Sequence, residues 1–221
     1  MPEKRRRSVN PEQLEQIHDY WIDTRSREMW LHSIETYGSD HEDGVEPGVE
    51  YMMATRIIKN LHIFRKQSSK AKVIIHMHTC GGVVEEGFAI YDVIRLMPYP
   101  TTMISYTQAS SMSSIILQAA SVRLLLPSSH FMFHNGYTAL IGNLNQVAGA
   151  AEFCRKMHER MLNIYAEKAY RAPKFPKWGR VKVRNYIEKA MNEQGDVHLT
   201  AEEAIHWGFA DGILEKWPSV R

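Results

Sequence analysis

Cysteine is nearly missing from this chain: Cys80 and Cys154 are the only two in 221 residues. Two thiols cannot build the disulfide framework of a small secreted domain, so a reducing cytoplasm is the expected setting. Long apolar runs are missing too. No stretch approaches the ~18 apolar residues of a membrane span. No apolar segment follows the basic start Lys4-Arg5-Arg6-Arg7, as a secretory signal requires. Nor does one sign of charge dominate. Lys and Arg number 27 against 25 Asp and Glu, leaving +2, and so weak a balance does not argue for nucleic acid. The basic cluster itself reads as a solvated terminus.

What is present suits an ordinary globular domain. A hydrophobic share of 44% and a charged share of 24% are typical of one. A chain of 221 residues is long enough for a full α/β core in a single domain. A polar leader enters a short helix, Pro11 to Tyr20, and Arg27 to Ile34 has strand character. Thr36 to Pro47 is acidic and turn-rich, a surface loop. Val49 to Phe64 carries a helical apolar face at Tyr51, Met52, Thr55, Ile58, Leu61 and Ile63. Lys72 to His78 is a β-branched run of the kind buried in a parallel sheet, and Cys80-Gly81-Gly82 ends it. A helix from Val83 to Met97 follows and stops at Pro98 and Pro100.

The stretch from Thr101 to Asn135 organises the rest. A β-prone run, Thr102 to Tyr106, ends in the small-residue cluster Gln108-Ala109-Ser110-Ser111-Met112-Ser113-Ser114. A helix-compatible run, Ile115 to Ala120, comes next, then apolar segments Val122 to Leu126 and Phe131 to His134. Leu144 to Tyr170 is the longest helical pattern, interrupted by the proline-bearing Arg171 to Arg180 before a short helix, Tyr186 to Met191. Thr200 and Glu203 make a capping-box start for the last helix, Gly208 its C-terminal cap and Ile213-Leu214 a closing strand. This alternation favours a layered α/β domain with functional groups at the ends of parallel strands.

A serine at a strand-to-helix junction places its hydroxyl at the end of a sheet, close to helix N-terminal amides. Ser111 then needs a base, for which His134 is the first candidate, and a third group to orient that base, for which Asp196 stands in the turn Gln194-Gly195-Asp196. Gly81-Gly82 can aim backbone N–H groups outward, as an oxyanion site requires. The residues alone leave plainer readings open: a small-residue helix start for Ser111, a core histidine for His134, a turn residue for Asp196. His76 and His78 share a face of one strand and could bind zinc, but no third ligand is evident. Cys80 is a weak alternative nucleophile with no histidine assigned to it. Cys154, Met157 and Met161 are expected to pack the long helix. Tyr137, Phe131 and Phe133 could shape a substrate pocket or an intersubunit one. Trp178 with its neighbouring lysines marks either a partner surface or a plain exposed loop.

Four motifs in order carry a family resemblance. They are Cys80-Gly81-Gly82 with Gly87-Phe88-Ala89-Ile90-Tyr91-Asp92; Gln108-Ala109-Ser110-Ser111-Met112; Leu126-Pro127 with Phe131-Met132-Phe133-His134; and Leu199-Thr200-Ala201-Glu202-Glu203-Ala204 with Gly208-Phe209-Ala210-Asp211. Together they resemble the proteolytic subunit of the Clp protease, ClpP, a serine peptidase, over about Arg25 to Lys216. The resemblance implies that Ser111 is the nucleophile, His134 the general base and Asp196 the third triad member. Its oxyanion donors would be the backbone N–H groups of Gly82 and Met112. It implies an α/β fold, a crotonase-like repeated ββα core with a protruding helical handle, at about 144–190 with an insertion at 171–180. A polar, basic extension (1–18) would precede a single peptidase domain (19–221). It further implies a homo-heptamer or tetradecamer cleaving peptides or unfolded proteins, either with an AAA+ unfoldase as partner or as a phage-type relative. No metal or other cofactor is expected in the peptidase itself, ATP entering only through such a partner, and neither nucleic acid nor membrane is expected.

The chain departs from the family pattern in several places. Thr79-Cys80 stands for Ser-Pro, Ser113 for the glycine after Ser-Met, and Asn135-Gly136 for Gln-Pro. The Ser111-to-His134 interval is about two residues short, and Met1 to Glu15 is basic and polar where the family has an apolar segment. A catalytically silent subunit of a Clp-like assembly and a crotonase-type acyl-thioester enzyme are the alternatives.

Overall fold

The computed structural model describes residues 10–33 and 48–217. The acidic loop expected up to Pro47 and the basic start lie outside those residues. Pro11 opens α1 (Pro11–Tyr20), where its missing N–H costs nothing, and the Asn10 side chain caps it by accepting from Gln13 N–H. Gln13 and Gln16 tie this helix to Asp23 and Thr24. Strand β1 (Ile22–Asp23) pairs antiparallel with β2 (Glu28–Leu31).

Helix α2 (Tyr51–Gln67) forms where expected but buries a neighbouring face that shares Leu61 with the expected one. Met53, Ala54, Ile57, Leu61 and Phe64 point inward, whereas Tyr51, Met52 and Ile63 are 66%, 49% and 41% exposed. Both stripes have helical spacing. The one that includes Phe64 joins the core with Met29, Leu31 and Ile75.

β3 (Val73–Thr79) leads through Gly81-Gly82 into α3 (Val84–Leu96), and β4 (Thr101–Ser110) leads through Ser111 into α4 (Met112–Leu117). β5 (Val122–Leu125), β6 (His130–Phe133), β7 (Val197–Thr200) and β8 (Gly212–Ile213) complete one sheet. Its order is β1-β2-β3-β4-β5-β8, with β6 beside β4 and β7 beside β6. All pairings from β2 to β8 along that path are parallel. This is the mixed α/β, ClpP-like fold that the motifs imply.

One strand does double duty. The first half of β4 pairs with β5, Thr102 to Ser105 against Val122 to Leu125. Its last three residues pair with β6 instead, Gln108 to Ser110 against His130 to Met132. β4 therefore runs past the end of β5 and brings its C-terminus alongside that of β6.

Helix α5 (Leu144–Ala169) is the longest, and no residue before Met161 in it is buried. Its second half seats Leu162, Tyr165, Ala166 and Ala169 against the domain. α6 (Arg180–Gln194) extends well beyond the short helix expected and returns along α5, with Arg184 bonded to Glu159 at 2.5 Å. The 171–180 segment is anchored, not simply exposed. Phe175 is 1% exposed, its ring edge-on to Trp207 at 5.5 Å, and Trp178 packs on Phe175 under the Lys182 ammonium. Phe131 and Phe133 belong to the same aromatic core, which also holds Tyr165 and Phe209.

α7 (Ala201–Trp207) has the expected capping box at Thr200 and Glu203 and the left-handed cap at Gly208. The segment after it is fixed by Arg123 on β5. Its guanidinium binds Asp211 through both carboxylate oxygens and also reaches Gln118 Oε1 and the Gly208 carbonyl. Burial opposes ionisation of Asp211, but the Arg123 bonds and charge outweigh it and hold the carboxyl below its ordinary value of 3.8. A lowered carboxyl pKa stabilises the fold above that ordinary value, and the contribution is lost as pH falls through the lowered one. Asp211→Asn should cost about 2 kcal/mol at neutral pH, below the ~3–5 of a fully buried pair because Asp211 is 39% exposed. Urea unfolding at pH 7 and pH 3 checks this, the gap from wild type closing in acid.

Candidate active site

Sheet register alone brings three polar side chains to one point. Ser110 pairs with Met132 in the parallel β4–β6 ladder, and Ser111 N–H donates to the Met132 carbonyl at 3.1 Å. Phe133 pairs with Val197 in the antiparallel β6–β7 ladder. Ser111 is thus the first residue after β4, His134 the first after β6, and Asp196 the last before β7.

The side chains meet as that placement requires. His134 Nε2 lies 2.8 Å from Ser111 Oγ, and His134 Nδ1 lies 3.0 Å from Asp196 Oδ1. With Nδ1–H donating to the carboxylate, Nε2 is left to accept the serine proton. His134 is only 14% exposed while Asp196 is 45% exposed. The imidazole is sheltered and its orienting carboxylate faces solvent.

Ser111 itself is strained. It has φ 53° and ψ −126°, a conformation that non-glycine residues rarely adopt. The turn lifts its hydroxyl out of the sheet and starts α4 at Met112, whose N–H is one of that helix's unsatisfied first-turn donors. Against this turn lies Gly81-Gly82. Gly81 has φ +109°, and a Cβ there would sit 2.7 Å from both the Ser110 carbonyl and Ser111 Cβ and 2.9 Å from Met112 N. Gly82 has φ +148°, and Val49 grips its two neighbours by donating to the Gly81 carbonyl and accepting from Val83 N–H. Only glycine fits either position. Ser113, standing where the resemblance has glycine, is fully buried and donates to the Thr79 carbonyl at 2.8 Å. That bond fastens the start of α4 to the end of β3.

A cavity of about 320 Å³ opens beside Ser111, lined by Tyr137, Phe153, Cys154, Met157, Met161 and Tyr165 among others. Cys154, Met157 and Met161 were expected to serve packing alone, yet they face this cavity. Their period along the long helix is the signal that could have found them. Tyr137 stands edge-on to the His134 ring with centroids 6.2 Å apart. Ser114 and Tyr165, which join the site below, were not singled out by the sequence.

The other candidates lie elsewhere or are otherwise engaged. His76 is 7% exposed and bonded to Tyr106 and Glu28, while His78 is exposed. Among the described residues no group of three or more His, Cys, Asp or Glu converges on a metal position. None of the described helices is long and apolar enough to cross a membrane.

Fold and site define a class: an α/β protein carrying a Ser–His–Asp hydrogen-bond line at its strand ends, beside a cavity of mixed polar and apolar lining. Comparison with known proteins gives the family. The Clp protease family matches residues 44–217. An "ATP-dependent Clp protease proteolytic subunit" from Deinococcus radiodurans is 27% identical over 171 residues, 76% of this chain and 77% of the relative. The chain belongs to the Clp protease family.

The close approach at Gly81 makes a direct prediction. Gly81→Ala should lower stability by about 2 kcal/mol or more, because its Cβ meets backbone and the Ser111 turn, with no flexible side chain to give way. Thermal melting of the variant beside wild type measures the loss, and an unchanged melting temperature would contradict the geometry.

Proposed function

We propose that this chain is a serine endopeptidase acting through an acyl-enzyme, and the observation that carries the reading is the continuous Ser111–His134–Asp196 hydrogen-bond line. Ser111 Oγ attacks the peptide carbonyl while His134 Nε2 takes its proton. Asp196 keeps Nδ1–H engaged and balances the imidazolium that forms. The backbone N–H groups of Gly82 and Met112 receive the oxyanion of the tetrahedral intermediate. His134 then returns the proton to the leaving amine, and water repeats the sequence to release the acyl group.

Substrates would be unfolded proteins or peptides bound in extended form. Main-chain hydrogen bonds tolerate many sequences, and the Phe153, Met157 and Met161 walls favour an apolar side chain next to the scissile bond. The outer half of α5, in which no residue is fully buried within one chain, is surface suited to a homo-oligomer. A ring of seven or fourteen is the form we assign to it. The relative's printed name, ATP-dependent, supports an ATPase partner, and the peptidase itself uses no cofactor in this reading.

The completed hydrogen-bond line disfavours a silent subunit, and an acyl-thioester enzyme would have no use for it. Ser111→Ala should abolish hydrolysis of unfolded casein, a loss of roughly 10³-fold or more, while native mass spectrometry shows the oligomer unchanged. Undiminished cleavage by that variant would overturn the proposal.

A further inference from the structure

The peptide between Ser111 and Met112 is held by a buried relay that starts on the long helix. Ser114 donates its hydroxyl to the Ser111 carbonyl at 2.6 Å, and its N–H reaches the same oxygen at 3.1 Å. Ser114 Oγ also lies 2.6 Å from the Tyr165 hydroxyl. A serine hydroxyl has one proton, and here it goes to the carbonyl. The Tyr165 O–H is therefore the donor in the second bond. Ser114 is fully buried and Tyr165 is 1% exposed. Burial pushes the phenol's pKa up, only partly offset by the Ser114 bond, so Tyr165 keeps its proton.

A trans peptide is planar, so its C=O and N–H point in opposite directions. Fixing the Ser111 carbonyl fixes the direction of the Met112 N–H. That peptide sits next to a strained φ, and its direction would otherwise drift toward a relaxed conformation. Tyr165 also lines the cavity, as Ser111 and Met112 do at the other end of the relay, while Ser114 between them does not.

We propose that Tyr165 and Ser114 are positioning residues for the oxyanion-binding amide of Met112. They act through the Ser111 carbonyl and touch no reacting atom. The proposal rests on the peptidase reading above. Tyr165→Phe keeps the ring and removes only the donor. Ser114→Ala removes the bond to the carbonyl.

The test uses the full chain with a peptidyl aminomethylcoumarin substrate, active sites being titrated by a fluorophosphonate so that misfolded protein is not counted. Each single variant should lower kcat roughly tenfold with KM unchanged, less than the 10²–10³ lost when an oxyanion donor is removed outright. The double variant should be no slower than the slower single one, because both changes break the same relay. A peptide boronate, which mimics the tetrahedral intermediate, should bind each variant about tenfold more weakly. A KM change at constant kcat, full kcat per titrated site, or independent multiplicative losses would overturn the proposal. If Ser111→Ala still cleaves, the peptidase reading itself has failed. If Ser111→Ala is inactive and Tyr165→Phe is not, only the relay has failed.

Discussion

Everything at the candidate site depends on β4 outrunning β5. In a parallel sheet each strand ordinarily keeps one neighbour per side along its length. Here β4 exchanges one partner for another at Gln108, so its last three residues run beside β6. Parallel pairing then puts the residues after β4 and β6 side by side, and antiparallel pairing with β7 brings Asp196 to the same place. A side-chain period of two makes this unforgiving. A slip of one residue in either ladder would turn His134 or Asp196 to the opposite face and break the line.

The register positions the groups, and local strain exposes them. Ser111 occupies a conformation costing on the order of 1–3 kcal/mol, and it persists because its surroundings leave no alternative. Its N–H is held by Met132, its carbonyl by Ser114, and its flank by the bare Cα of Gly81. Ser113 adds the tie to Thr79 that a glycine could not make. One wall of the cavity comes from elsewhere, from Phe153 to Tyr165 along α5, where Tyr165 serves the core, the cavity and the elbow together.

Much of this was legible in the residues. The strand–Gly-Gly–helix and strand–Ser–helix units, the capping box at Thr200 and the left-handed cap at Gly208 all follow from local chemistry, which a sequence displays directly. The meeting of Ser111, His134 and Asp196 was legible through a family resemblance; spacing alone left each with a plainer explanation. What could not be read is non-local. The face that α2 buries is one such feature: two apolar stripes meeting at Leu61 compete, and the sheet's demand for Ile57 and Phe64 decides between them. Trp178 and Phe175 read as a loop because prolines break the helix there, yet their rings have the Trp207 core to enter. Cys154, Met157 and Met161 looked like packing because nothing local says that a helix will lean over a distant serine. Hydroxyl relays such as Tyr165 to Ser114 span 51 residues of sequence and have no local signature at all.

The central claim is that His134 makes the Ser111 hydroxyl nucleophilic. Treating the native chain with a fluorophosphonate and mapping the adduct by peptide mass spectrometry tests it most directly. One phosphonylated residue is expected, Ser111, with no adduct on the neighbouring Ser110, Ser113 or Ser114. Labelling should also be nearly abolished in His134→Ala while the melting temperature holds. An adduct on another serine, or undiminished labelling of Ser111 without His134, would contradict it.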